Sequence, residues 1–134
     1  MASDHQTEEH VGEWKLVLHA DSDIEILLEA ARVLADRAGP RDTGEGEWFS
    51  VTLSARDRAA LLADFINELI YLGETQTVAC TDFRAMQLGE TDLTCEALGA
   101  PLLEWQSPAK AATYHGLRFE REGGRWVAAV LLDV

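Results

Sequence analysis

A glycine pair near the carboxyl end of the chain sets the strongest constraint on its fold. Gly123 and Gly124 separate residues 110–121 from residues 125–134, and both segments have compositions typical of β-strands. A two-residue Gly-Gly connection suits a type I′ turn, whose twist matches that of paired antiparallel strands. The sequence therefore predicts a closing β-hairpin.

The rest of the chain alternates strand and helix patterns and then continues as strands alone. Apolar residues at helical spacing predict one helix after a Ser22 cap. The same spacing predicts a second helix that starts at Ser54, has Asp57 as its capping-box partner and ends at Gly73. The order β-α-β-α-β-β-β-β predicts a single α+β domain over residues 10–134. We expect about six mostly antiparallel strands with two helices packed on one face.

The charge of the chain narrows the kinds of partner it can take. Acidic side chains outnumber basic ones 24 to 11, the formal net charge is −13, and residues 1–9 are predicted to form a flexible acidic tail. Because phosphate neutralisation needs clustered Lys and Arg, tight direct nucleic-acid binding is disfavoured. A basic protein partner or a hard cation suits this charge, and so does simple solubility. With no long apolar run and no signal-peptide pattern, we expect a cytoplasmic protein without membrane contact.

The two cysteines are predicted to be free thiols. Cys80 and Cys95 have no C-x-x-C spacing. If Gly89 and Glu90 form the turn between their strands, Cys95 lies opposite Arg84 and away from Cys80. A disulfide is then geometrically unfavourable, and two packed, reduced thiols are expected.

Carboxylates are the main candidate site residues, since the familiar motifs for phosphate binding and nucleophilic catalysis are missing. Asp64 and Glu68 lie one turn apart on the second predicted helix. Glu9 and Glu13 flank the first strand, and Asp133 follows an apolar run. Three of these brought together would suit Ca²⁺ or Mg²⁺. A solvated helix face and an exposed terminus are the alternative interpretations.

A Lys, a Tyr and a His lie close together at the start of the closing hairpin. Strand periodicity places Lys110 and Tyr114 on one side and His115 on the other. A histidine acts as a base only where a partner positions it, so His115 is interpreted as structural.

Three stretches of the chain resemble the archease family. Residues 61–71 (LLADFINELIY) are similar to the family's second-helix pattern, and residues 110–117 (KAATYHGL) to its K-A-x-T-Y-H-G-L. Residues 131–134 (LLDV) resemble its apolar, Asp-ending carboxyl terminus. The amino-terminal pattern E-H-T-A-D-[IV]-G is kept only in part. Glu13 stands where the family has Asp, and Lys15 where it has Gly.

The resemblance implies an accessory protein and not an enzyme. Archeases act with the RtcB-type RNA ligase of tRNA splicing and RNA repair, and they promote its GTP-dependent guanylylation and its turnover. For this chain the resemblance implies a divalent metal ion (Ca²⁺, Mg²⁺ or Mn²⁺) held by Glu13, Asp133 and the carboxylate of Val134. The residues that it implies for activation or partner contact are Lys110, Asp64 and Glu68. An acidic surface would also favour association with a basic, RNA-binding partner.

Two other functions are kept as alternatives. The departures at Glu13 and Lys15 allow an archease-like interaction or chaperone module that has lost ligase activation. An independent metal-dependent hydrolase is the weaker alternative, because the sequence offers no nucleophile–base pair.

Overall fold

The strands form two antiparallel sheets. The sequence predicted a single sheet. The computed structural model describes residues 3–10 and 12–134, and these residues form seven strands and two helices. The elements are β1 (Ser3–His10), β2 (Glu13–Ala20), α1 (Asp23–Asp36), β3 (Glu47–Ser54), α2 (Arg58–Gln76), β4 (Val78–Leu88), β5 (Asp92–Pro101), β6 (Ala111–Glu122) and β7 (Arg125–Asp133). The sheet orders are β1-β2-β7-β6 and β3-β5-β4. The predicted α+β class is confirmed.

β1 is the strand that the sequence did not predict. It pairs with β2 along its whole length, from Ser3 opposite Ala20 to His10 opposite Glu13. The expectation of a flexible tail is therefore wrong for residues 3–9, while residues 1 and 2 lie outside the described part of the chain. The segment is polar, so its backbone pairing rather than an apolar pattern determines its structure.

A buried carboxylate fastens β1 to α1. Glu29 accepts a hydrogen bond from Ser3 Oγ at 2.7 Å and lies 2.8 Å from His5 Nδ1. Arg32 Nη1 donates to the same carboxylate at 2.6 Å. Burial opposes the charge of Glu29, but the hydrogen bonds from His5, Ser3 and Arg32 outweigh it and hold the pKa of this carboxyl below its ordinary value.

The two helices begin at side-chain caps. Ser22 accepts a hydrogen bond from the N–H of Glu25 at 3.2 Å, as predicted. At α2 the cap is Asp57, which accepts from the N–H of Ala60 at 2.8 Å. The predicted start at Ser54 is wrong, because Ser54 is the last residue of β3 and Asp57 already satisfies the first turn of the helix.

Gly73 lies inside α2 and does not end it. The helix continues to Gln76, and Thr77 caps it in the left-handed conformation with φ 54°. A Cβ atom at Gly73 would lie 2.2 Å from Cζ3 of Trp105. A glycine at this position therefore allows the indole ring of Trp105 to pack against the helix. The sequence rules for helix ends do not predict such a contact.

Cys80 and Cys95 are free and buried, as predicted. The register behind that prediction is wrong, since Arg84 lies opposite Glu96. Two irregularities shift the pairing of β4, one of them around Ala85 in the left-handed conformation at φ 54°. Burial raises the pKa of Cys80 to about 12 and that of Cys95 to about 11, so both thiols stay protonated.

The helices contact strands of both sheets and bury one common core. Large side chains that solvent does not reach include Trp14, Leu16, Leu18, Ile26, Leu27, Leu61, Leu62, Phe65, Ile66, Leu93 and Leu132. Neither helix of the described chain has the length and apolar character needed to cross a bilayer.

The closing hairpin has the predicted turn. Gly123 and Gly124 both have positive φ, at 59° and 83°, and Glu122 lies directly opposite Arg125. The hairpin brings the end of β7 between β2 and β6, and this position determines which residues surround Asp133.

Candidate functional site at the end of β7

Glu13 and Asp133 occupy directly opposed positions on β2 and β7. Their neighbours Trp14 and Leu132 are buried in the core, at 2% and 0% exposure. Because side chains alternate along a strand, Glu13 and Asp133 both leave the sheet on its outer face. Opposed residues have Cβ atoms about 5 Å apart, close enough for two carboxylates to share one cation. Both side chains are exposed.

Backbone hydrogen bonds gather the other predicted residues at the same edge. The N–H of Lys110 donates to the carbonyl oxygen of Asp133 at 2.7 Å, and the N–H of Val134 donates to the carbonyl of Gly12 at 3.1 Å. Lys110 is exposed beside the end of β7. The structure thus brings together four of the predicted site residues: Glu13, Lys110, Asp133 and Val134.

A cleft of about 210 Å³ opens beside this edge, and the positively charged side chain that lines it is Arg37. Arg37 lies 3.6 Å from the carboxylate of Glu9, and its guanidinium carbon is 4.1 Å from the ring centre of Trp14. Glu9 is therefore already paired. The lining residues are Glu9, Glu13, Trp14, Arg37, Pro108 and Val134. Nothing in the spacing of the sequence indicated Arg37, which follows α1.

The donors at this edge are oxygens and match a hard cation in chemical type. Within the described ranges, no three His, Cys, Asp or Glu side chains converge on one point. Among the described side chains, Glu13 and Asp133 therefore supply two carboxylates at this edge.

Asp64 lies at a different place, on α2 beside β6. Tyr114 donates its hydroxyl hydrogen to Oδ1 of Asp64, and this hydrogen bond raises the pKa of the tyrosine. The guanidinium of Arg56 lies 5.9 Å from the centre of the same ring. These three residues, with Ser54, Ala55 and Ala60, line a cleft of about 320 Å³.

Glu68 lies one helical turn after Asp64, on the same side of α2. Burial is the main reason that the pKa of Cys80 on β4 is raised, and the charge of Glu68 adds to it. Of the two carboxylates, Asp64 is the one that accepts a hydrogen bond from a β6 side chain.

Asn67 is the residue of this region that sequence reasoning missed. Its amide nitrogen donates to the carbonyl of Ala112 at 3.1 Å, and its amide oxygen accepts from the N–H of Ala112 at 2.7 Å. β6 is an edge strand, so Asn67 satisfies backbone groups that have no strand beside them. The available signal was an amide three residues after Asp64, on the same side of α2.

The fold and the site define a class of protein: an α+β domain in which a β-strand ends at carboxylate side chains. The sequence model of the Archease protein family (MTH1598/TM1083) matches residues 5–134. The chain belongs to the archease family.

Curated relatives support the assignment over most of the chain. The protein archease of Methanopyrus kandleri is 30% identical over 134 residues, which cover 94% of this chain and 96% of the relative. The protein archease of Methanosarcina mazei is 27% identical and covers 94% of this chain and 92% of the relative.

Solved structures show the same fold. The solution structure of Methanobacterium thermoautotrophicum protein 1598 superposes with a TM-score of 0.70 at 20% identity, over 97% of this chain and 98% of that one. The crystal structure of an archease from Thermotoga maritima, described as a possible chaperone, gives a TM-score of 0.63 at 23% identity over 96% of each chain.

Proposed function

We propose that this protein is a non-catalytic activator of an RtcB-type RNA ligase. It promotes GTP-dependent guanylylation of the ligase and its turnover in tRNA splicing or RNA repair, and it acts in the cytoplasm without tight RNA contacts of its own. The observation that carries the proposal is the direct opposition of Glu13 and Asp133 in a chain of the archease family.

The proposed metal site uses side chains of β2 and β7 and the end of the chain. Glu13, Asp133 and the α-carboxylate that Val134 carries when it ends the chain would hold a Ca²⁺, Mg²⁺ or Mn²⁺ ion. A bound divalent cation supplies positive charge at an edge that is otherwise strongly acidic. The bonds that anchor this set are those from Lys110 to Asp133 and from Val134 to Gly12.

Lys110 is proposed as an activating contact. Its backbone N–H donates to the carbonyl oxygen of Asp133 at 2.7 Å, so its exposed side chain begins beside a residue of the proposed metal site. A cation so placed can contact an acidic or phosphate group that the partner brings to this edge. The net charge of −13 favours encounter with a basic partner and disfavours RNA itself.

The test measures guanylylated ligase formed from purified RtcB-type ligase of the same organism, GTP and Mn²⁺ or Mg²⁺. We expect faster guanylylation when the protein is present and none of that acceleration with Asp133→Asn. Glu90→Gln is the matched control, since Glu90 is an exposed carboxylate at the β4–β5 turn. A parent protein that leaves the guanylylation rate unchanged refutes the proposal. An Asp133→Asn variant that accelerates normally refutes the metal site.

One observation favours the alternative of an interaction or chaperone module without ligase activation. Lys15 lies two residues after Glu13 on β2, so both side chains leave the same face of the sheet, from Cα atoms about 7 Å apart. A fixed positive charge there opposes cation binding. Calorimetric titration with Ca²⁺, Mg²⁺ and Mn²⁺ separates the two functions, because Asp133-dependent binding contradicts the alternative.

A further inference from the structure

Both tyrosines of the chain lie exposed on one side of α2. Tyr71 is 58% exposed and Tyr114 is 55% exposed, although aromatic rings of this size are usually half or more buried. Tyr114 of β6 is bonded to Asp64, and Tyr71 follows Asp64 by seven residues, which is two helical turns. The two aromatic positions are therefore about 10 Å apart along the helix axis, on the same side.

Tyr114 is held in place by several independent features. Asn67 fixes Ala112, two residues earlier, by two hydrogen bonds. β6 then departs from its register with β7 between Thr113 and Arg118, and Gly116 within that stretch has φ 68°. Because the hydroxyl also donates to Asp64, the exposed ring has a defined position before any partner binds.

The side of α2 beside these rings is acidic. The exposed side of α2 between and beyond them carries Asp64, Glu68 and Glu74, and residues 59–76 contain no Lys or Arg. Tyr114 occupies Oδ1 of Asp64, which leaves Oδ2 available to a second donor. Arg56 lies 5.9 Å from the ring centre of Tyr114, so the chain itself shows a guanidinium placed on this ring.

We infer that Tyr71, Tyr114 and Asp64 form a docking surface for an arginine-bearing segment of the partner ligase. Exposed tyrosines at defined positions supply contact area at low entropic cost, and Tyr and Arg are the residues enriched where binding energy concentrates. An arginine can stack on a ring while its N–H groups reach Oδ2 of Asp64. The identity of the partner rests on the proposed function. The surface itself is separate from Glu13 and Asp133.

The experiment measures the dissociation constant between this protein and the purified RtcB-type ligase at low salt, together with the rate of ligase guanylylation. We expect Tyr71→Ala, Tyr114→Ala and Asp64→Asn each to raise the dissociation constant by about tenfold or more. Leu103→Ala is the control, since Leu103 is 65% exposed but lies on the connection after β5. It should bind within about twofold of the parent.

The other outcomes distinguish the docking surface from the proposed ligase activation. Tyrosine variants that bind within about twofold of the parent refute the docking surface and leave the proposed function intact. A parent that binds through the tyrosines without accelerating guanylylation refutes the proposed function alone, and a parent that does not bind refutes both. Thermal unfolding of each variant confirms folding. If Tyr114→Ala unfolds, Tyr71→Ala carries the test, because that exposed side chain makes no hydrogen bond among the described residues.

Discussion

The side-chain amide of Asn67 hydrogen-bonds both the C=O and the N–H of Ala112, at 3.1 Å and 2.7 Å. This contact joins the centre of α2 to the edge strand β6 at the residue opposite Leu132, one position before Asp133. A single side chain thereby joins α2 to β6 between Tyr114 and the strand β7 that ends at Asp133.

Replacement of Asn67 by Ala should lower the free energy of unfolding by about 2 to 4 kcal/mol, because it leaves a half-buried N–H and C=O without partners. Urea unfolding followed by tryptophan fluorescence measures the change. Gln87→Ala is the matched control, since Gln87 is an exposed amide on β4 and should cost less than about 0.5 kcal/mol. An Asn67 variant as stable as the control would show that the two hydrogen bonds contribute nothing net.

Replacement of Gly73 by Ala should destabilise the protein although Ala is the better helix former. Helix propensity favours the alanine by about 1 kcal/mol. The new Cβ would lie 2.2 Å from the ring of Trp105, and such overpacking costs about 1 to 3 kcal/mol. Moving the ring also disturbs the packing between α1, α2 and β4, so we expect a net loss.

Thermal unfolding measures this loss. The control is Gly89→Ala, where the nearest atom to the new Cβ lies at 3.7 Å. A Gly73→Ala protein with an unfolding midpoint above that of the parent would show that Trp105 moves away freely.

Short-range features of the sequence determine the caps and the closing turn, whereas strand pairing depends on residues far apart in the chain. Ser22 and the Gly123–Gly124 pair were predicted correctly, because a cap and a two-residue turn depend on neighbours in sequence. β1 was missed because its partners, β2 and Glu29, lie elsewhere in the chain and its own residues have no apolar alternation. A strand stabilised by its backbone and one distant carboxylate leaves no local pattern.

The candidate site divides in the same way. Asp133 stood out because a carboxylate ended an apolar strand, and its opposition to Glu13 follows from the pairing of β2 with β7, which no local pattern specifies. Asn67 and Arg37 act through tertiary neighbours, so the position of Asn67 beside Asp64 was only a weak signal and Arg37 had none.

The stability of the β1–α1 contact should depend on acid. The pKa of Glu29 in the folded protein is below its ordinary value of 4.5, so the ionised carboxylate stabilises the fold above that value. The contribution is lost as the pH falls through the lowered pKa, because protonation removes the charged acceptor. We expect Glu29→Gln to be less stable than the parent at pH 7, with the difference shrinking below about pH 4.5.

Urea unfolding of both proteins between pH 3 and pH 7 measures this dependence. Glu25→Gln serves as a comparison, since Glu25 lies at 3.5 Å from Arg32 and should show a smaller effect. A Glu29→Gln difference that stays constant over the whole range would mean that the charge of Glu29 contributes nothing to folding.

Metal affinity should rise when the charge of Lys15 is removed. Lys15 lies on the face of Glu13 with its Cα about 7 Å away, and a positive charge at such a distance repels a divalent cation by about 1 kcal/mol at the dielectric constant of water. Lys15→Gln should therefore tighten Mn²⁺ binding by about fivefold, whereas Glu13→Gln and Asp133→Asn should weaken it. Arg121→Gln, at the opposite end of the sheet, is the control for a general change in net charge. Calorimetric titration at low salt measures the four variants. If Lys15→Gln and Arg121→Gln change the affinity equally, the cation does not lie at the edge defined by Glu13 and Asp133.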